Sequence, residues 1–454
     1  GIGAFENAAT ATKILVFTFN DATTSQFYKW TGSGSASSIA SMTSVKDKPT
    51  WFEMAGGFLF ALDGSHVFDF DGTTMTKDRA GIPIGSFNAW FHNYNFIAGN
   101  GTYPNRTWWS DLGAATTYTA TNYVDVAPGD GDYIVNFGKI QDELIVFKSK
   151  TIHAITGWSG ASFSAATIQT TNTNTRIIGY GLAAKFGAVS FGNDVYYLSL
   201  LNGEPVIRSL IKTRYATTLA GGIISKSIEE TMNRINMSAI GGVVGWFDGR
   251  FVKFAIPIDS SSTNNAVILI DTMGIRRQDG ALMYPWTLDV GKNIKYNTIS
   301  SIGGSSIEYY QEPDALGDIV KFDKSVHSNK GAAISMEVYS RTYQPESGRQ
   351  QKWAQMFLKT DVGVNSNLAI SAKLDEGVDY TLQDTLSLAS PSPGLDNFIL
   401  DQSQLDGATK QKKRVLLKQL TGHGLSLKLS ESSVNPVTIY DWEIFYKSKG
   451  LRDS

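Results

Sequence analysis

Short runs of apolar or alternating residues, closed by Asp-Gly, Asn-Asp or similar turns, recur in pairs from about residue 11 to about residue 325. That recurrence limits the fold more than any other feature of the chain. "KILVFTFNDATTSQFYKWTG" sets one strand against another, and "GGFLFALDGSHVFDFDGTTM" does the same across Asp63 and Gly64. "FNAWFHNYNFIAGN" with "RTWWSD", "DELIVFKSKTIHAITG", "GAVSFGNDVYYLSLLNGEPVIRSL", "GWFDGRFVKFAIPI" with "NAVILIDTMG", and "SSIEYYQEPDALGDIVKFD" bring the series to seven units. Each unit takes about 45 residues, within the roughly 40–50 that a four-stranded propeller blade requires. Period-two alternation marks the strands. Leu144, Ile145, Val146 and Phe147 are apolar at consecutive positions, as a strand covered on both faces by neighbouring blades must be. The predicted fold is therefore all-β: a β-propeller of six or seven blades, six if the first unit only completes the last by strand exchange. A long β-sandwich would show the same short strands, and blade length favours the propeller.

From about residue 331 the pattern changes. "GAAISMEVYSRTY", "QQKWAQMFLKTDVG", "NLAISAKLDEG", "TKQKKRVLLKQLTG", "GLSLKLSES" and "VTIYDWEIFYKSKGLR" describe six or so alternating strands, with the polar "ASPSPGLDN" between them. They predict a small antiparallel β-sandwich with one dry and one wet face. The expected domains are 1–328, a propeller, and 329–454, the sandwich. One segment breaks the β pattern. In "SKSIEETMNRIN", Ser227 and Glu230 have the spacing of a capping box, and Ile228, Met232 and Ile235 share a helical face. A helix is expected near 225–236, packed on the propeller rim or on a neighbouring subunit.

Forty Lys and Arg face 42 Asp and Glu over 454 residues, so the formal charge is −2 and no global pull toward nucleic acid or an anionic membrane exists. The absence of cysteine excludes disulfides and thiolate metal sites and suits folding in a reducing cytoplasm. No run of eighteen apolar residues predicts a membrane-spanning helix. The opening "GIGAFENAATATKILVFTFN" does not read as a secretory leader.

Residues suited to catalysis are sparse. His66, His92, His153, His327 and His423 form no i, i+4 pair and no cluster at metal-ligand spacing. No Walker loop or G-x-S-x-G elbow occurs, and "TGSGSASS" reads as a loop. Asp69 with Asp71, and Asp130 with Asp132, could supply paired carboxylates for acid/base work. Asp beside Gly is also ordinary turn chemistry, which is the stronger explanation. The expectation is a protein without catalytic residues, cofactor or metal. The one dense basic run, "KQKKRVLLK", offers Lys410, Lys412, Lys413 and Arg414. These could contact DNA backbone or another subunit, or deter unwanted pairing at a strand edge.

The segment "FHNYNFIAGNGTYPNRTWWSDLGAATTYTATNYVDVAPGDGDYIVNFGKIQDELIVFKSKTIHAITG", residues 91–157, carries a more specific signal. A strand ending in Ala-Gly-Asn leads to "PNR", an aromatic strand closing on "WSD", then "NYVDV", "GDGD" and "LIVFKSKTIHAITG". This succession resembles the propeller-type tail nozzle and tail accessory (stabilisation) proteins of short-tailed bacteriophages. "GRFVKFAIPIDSSSTNNAVILIDTMG" looks like a late-blade hairpin of that family, and "DWEIFYKSKGLR" like its closing strand. The resemblance implies a structural virion protein assembled in the bacterial cytoplasm, forming a homo-oligomeric ring, a hexamer, that extends or closes the tail tube. Its implied partners are the phage adaptor or portal, packaged double-stranded DNA and, at the cell surface, a host receptor. Its implied role is to retain that DNA and release it on ejection.

Within the motif, Asn105 and Arg106 are expected to satisfy buried loop carbonyls, Trp108 and Trp109 to point to opposite faces of one strand, and Ser110 with Asp111 to turn the chain. Tryptophans facing apart cannot stack on one sugar. "SDLGAATTY" also departs from the Ser-x-Asp-x-Gly-x-Thr-Trp of sialidase blades. A glycan-binding or glycan-cleaving propeller at a tail tip is the alternative, and an intracellular propeller scaffold is a further one.

Overall fold

The computed structural model describes residues 1–156, 177–178, 180–214, 221–302, 306–313, 318–322, most of 328–388, 410–433 and 437–448, with gaps of one to four residues inside these ranges. The polar stretch 389–397, His327 and the closing Gly-x-Arg at 450–452 lie outside the described residues. The chain divides into two compact units, Gly1–Phe322 and Asp323–Ser454.

The first unit is a β-propeller. Its described residues form seven antiparallel sheets of three or four strands, beginning with Ile2–Asn7, Trp51–Ala55, Phe87–Phe91, Ile134–Ile140, Ala188–Phe191, Val244–Phe247 and Tyr296–Ser300; all use consecutive strands except the sixth, which is interrupted by a separate hairpin of Arg276–Gln278 and Ala281–Met283. Consecutive apolar residues are what pack these sheets together. In the strand Glu143–Lys148, Leu144 and Val146 join Phe96 and Trp109 of the third sheet, while Ile145 and Phe147 join Val195 and Tyr197 of the fifth. Because adjacent side chains leave a strand on opposite faces, one apolar run welds a sheet to both neighbours. Phe58–Leu62 repeats the device, with Leu59 and Ala61 against Phe5 and Val16, and Phe60 and Leu62 against Ile97. In the first sheet, Leu15 and Phe17 meet Ile302 and Tyr309 of the seventh.

The ring therefore closes by packing, with the first four strands forming a sheet of their own instead of completing the last one. A polar clasp supplements it. Glu6 accepts hydrogen bonds from Ser300 Oγ at 2.8 Å and Ser301 N–H at 2.6 Å, and Gln311 Nε2 donates to the Thr18 carbonyl at 2.9 Å. The chain stays with the seventh sheet as far as Phe322, whose N–H donates to the Glu308 carbonyl at 2.8 Å. The unit thus ends a few residues before the boundary expected at 328.

The helix expected at 225–236 is reduced to a 3₁₀ turn, Lys226–Ile228, and a single α-turn, Glu229–Asn233. The capping box does not form, since Ile228 occupies the N-cap position and no side chain caps that turn. What holds the segment is its apolar face: Met232 and Ile235 are buried among Leu198, Ile207 and Phe254. A second one-turn helix, Leu210–Arg214, has no clear signal in the sequence.

The second unit is an antiparallel β-sandwich. One sheet orders its strands Met336–Tyr339, Leu425–Glu431, Asn367–Leu374, Thr381–Ser387; the other orders them Lys410–Gly422, Gln351–Asp361, Ile439–Ser448. Trp353, Met356, Leu358, Val415 and Leu417 of the second sheet share one core with Leu368, Ile370, Leu427 and Leu429 of the first.

Candidate functional site

The third sheet holds the motif read from the sequence. In the strand Arg106–Trp109 the side chains alternate, so Trp109 is buried among Phe87, Phe96 and Leu144 while Trp108 stays half-buried on the other face. Arg106 does not serve loop carbonyls. Its guanidinium grips Asp125, the residue opposite it in the ladder, through Nε at 2.7 Å and Nη2 at 2.9 Å. It also lies 3.8 Å from the Tyr123 ring centroid and 4.5 Å from that of Tyr103. A planar, forked cation suits both the carboxylate and the rings. Asn105 contributes its backbone carbonyl, which accepts from Val126 N–H at 2.8 Å, while its side-chain Oδ1 has no partner among the described residues. Ser110 Oγ accepts from Asn95 N–H at 2.9 Å, and Asp111 Oδ1 accepts from Thr119 at 2.9 Å and Asn122 at 3.0 Å, which ties the following loop back to the sheet.

The hub of this corner is Asn95, fully buried, which bonds Asn88, Ser110, Ala115 and Tyr118. Its only signal in the sequence is an amide inside an apolar strand. A buried amide needs partners for all its polar atoms.

The acidic pairs are bonded within the scaffold. Asp69 is buried against Arg79, and Asp71 accepts from the N–H groups of Thr73 and Thr74 at 2.8 and 2.7 Å. Asp130 holds the fully buried Lys148 ammonium at 2.7 Å. Asp132 accepts from Ser149 and from Lys150 N–H at 2.9 Å. Burial alone would raise the Asp132 carboxyl, but the bonds from Ser149, Lys150, Tyr133 and Thr151 outweigh it and hold it below the ordinary carboxylate range. Lys148 was legible in principle, because a lysine closing a buried apolar run requires a counter-charge. Among the described residues no group of three or more His, Asp or Glu stands at metal-binding distance.

At the end of the propeller where the inner strands begin, aromatic rings meet across the axis. Trp51 of the second sheet stacks on Phe186, which precedes the fifth, at 5.3 Å and 19°, and Phe186 meets Tyr296 of the seventh at 5.5 Å. Lys139 and Glu53, of the fourth and second sheets, pair at 2.5 Å. These contacts join non-adjacent sheets across the ring at this end of the propeller.

Beside these contacts lies a cleft of about 540 Å³ lined by Phe87, Asn100, Pro104, Tyr133, Ile134 and Lys185 among others. Burial pushes the Lys185 ammonium down to about 8, with Asp63 partly opposing. Tyr133 is exposed, as is Tyr103 next to Pro104. No Asp or Glu is among the residues lining the cleft.

The basic run lies on the strand Lys410–Gly422. Lys412 and Arg414 are exposed and Lys413 is half-buried. Lys412 reaches Glu443 at 2.7 Å and Arg414 Nε donates to Gln355 at 2.7 Å. Lys410 begins the strand opposite Asp361.

No protein-family model matches the chain, and no curated protein matches it. Solved structures that resemble it include the WD40 domain of Neurospora crassa Pan2, at 9% identity over 68% of this chain and 86% of that one, TM-score 0.34. An exo-β-1,3-galactanase from Phanerochaete chrysosporium aligns at 9% identity over 98% and 95%, TM-score 0.28. KlHsv2 with a replaced loop aligns at 8% over 61% and 80%, TM-score 0.35. None of these three is a phage tail protein. Likeness this remote carries no argument about activity, and the propeller is defined by the sheets and their ring of packing contacts.

Proposed function

We propose that this chain is a structural, non-enzymatic virion protein of a phage tail, a nozzle or stabilisation subunit that assembles with further copies of itself. The observation that supports this most is how the segment 91–157 is used. Arg106, Ser110 and Asp111 are engaged in bonds within the third sheet and its loop, and Asp130 and Asp132 tie the connection that follows to the fourth sheet. That is what a ring component under mechanical load requires and not what a catalytic centre requires. Six copies, docking on an adaptor or portal, retention of DNA and its release into the host follow from the resemblance of this segment to tail proteins. In this account DNA passes between copies, through the opening of the ring they form. Purified protein mixed with portal–adaptor assemblies should co-sediment with them, and failure to do so at any ratio would count against the account.

A second reading is favoured by the cleft. Exposed Tyr133 beside an apolar wall and polar Asn100 is an arrangement on which a sugar ring could stack, with Lys185 near an acidic substituent. Because no carboxylate lines it, this reading is glycan binding in preference to glycan cleavage. Saturable binding of host surface polysaccharide, lost in Tyr133→Ala, would favour it over the tail-ring reading.

A further inference from the structure

The three-stranded sheet of the C-terminal sandwich has, over three rows of residues, two edges of opposite charge. Across the face directed away from the core, three rows run from the strand Lys410–Gly422 through Gln351–Asp361 to Ile439–Ser448. The first is Lys412, Lys359, Asp441; the second is Arg414, Phe357, Glu443; the third is Leu416, Gln355, Phe445. One edge therefore presents Lys, Arg, Leu and the other, in the same order, Asp, Glu, Phe. Leu416 is 58% and Phe445 44% exposed, although the rest of the sheet's large apolar side chains are mostly turned into the core. Within the described residues neither edge has a further strand in its sheet.

We infer that this sheet continues from one copy of the chain into the next, the basic edge of one copy pairing with the acidic edge of its neighbour. Both edge strands run antiparallel to the central strand, so they run in the same direction. A rotated neighbour thus forms a parallel ladder in which Lys412 faces Asp441, Arg414 faces Glu443 and Leu416 covers Phe445. Opposite charges and apolar pairs directly across a ladder stabilise it, and like charges there destabilise it. Pairing of two basic edges or of two acidic edges would set like charges together. The pattern thus selects a head-to-tail contact, the kind that generates rings or filaments. Lysines on an edge strand commonly deter pairing, but a deterrent does not need the opposite sign on the far edge. The ladder is three rows long: Lys418, whose N–H is already held by Gln383 Oε1 at 3.2 Å, and Lys447, next on the acidic edge, would set like charges together in a fourth row and so mark its end. The bond from Lys412 to Glu443 within one copy joins two half-exposed side chains, and such a pair exchanges for a neighbour's at little cost.

This inference names the contact for the ring subunit proposed above and rests on that reading for its setting. Two charge-reversed proteins test it by sedimentation velocity at low salt: Lys412→Glu with Arg414→Glu, and Asp441→Lys with Glu443→Lys. All four side chains are exposed, so both proteins should give the wild-type circular dichroism spectrum and melting curve. The wild type is expected to assemble, each variant alone to remain monomeric, and an equimolar mixture to assemble again, since each variant's altered edge then meets the other's opposite charge. Variants that assemble alone like the wild type would overturn the edge contact while leaving the ring reading intact. A mixture that fails to assemble would also overturn it. A wild type that stays monomeric at every concentration, alone and with portal–adaptor assemblies, would overturn both.

Discussion

Arg106 sits between two tyrosine rings with both carboxylate oxygens of Asp125 in its fork, and a lysine can reproduce neither the fork nor the stacking. Arg106→Lys should cost about 1 kcal/mol, the scale of such cation–ring contacts, read as a lower urea midpoint with unchanged slope. Asp132 makes a pH-dependent contribution. Its folded carboxyl lies below the ordinary value, so the stability it adds is fully present above the unfolded value of about 4 and is lost as pH falls through the lower folded one. Asp132→Asn should lower stability at pH 7 and flatten the acid limb of the unfolding profile, and an unaltered limb would contradict this account. The sequence indicated that Arg106 would be used structurally but pointed to loop carbonyls as its partners, where the structure has Asp125. Its partner lies nineteen positions further on, and the ladder register that brings them together is set by a loop with no repeating pattern.

At the scale of elements, the strands were the most legible part of the chain. Apolar runs such as residues 144–147 called for cover on two faces, and a ring of blade-length sheets supplies it. The one-turn helix at Glu229–Asn233 shows the opposite. Ser227 and Glu230 have capping-box spacing, yet the turn is too short to need a cap and is held by burial of Met232. Met232→Ala should cost about 2–4 kcal/mol, the range for emptying a packed methionine site. Ser227→Ala should change stability by less than about 0.5 kcal/mol, the range of surface substitutions. Chemical denaturation of the two variants side by side checks both values. A large loss in Ser227→Ala would mean that the capping box operates after all. The aromatic contact across the ring was not legible, because Trp51, Phe186 and Tyr296 come from three distant parts of the chain and meet only once the ring has closed.

At the scale of the whole molecule, the two units divide the work. The propeller is stiffened by ring packing, by the clasp at Glu6 and by buried ion pairs such as Lys253 with Glu308 at 2.7 Å. The sandwich carries a sheet with oppositely charged edges, the form expected of a part that meets its own copies. Asp69, Asp71, Asp130 and Asp132 are each bonded within the scaffold, and aromatic rings meet across one end of the propeller. The most direct test is the mass and symmetry of the purified protein, by light scattering and negative-stain electron microscopy, alone and with portal–adaptor assemblies. Closed rings of identical subunits around a central opening, in either condition, are the predicted result. A protein that remains monomeric in both conditions, while its cleft binds a surface polysaccharide, would contradict the tail-subunit account.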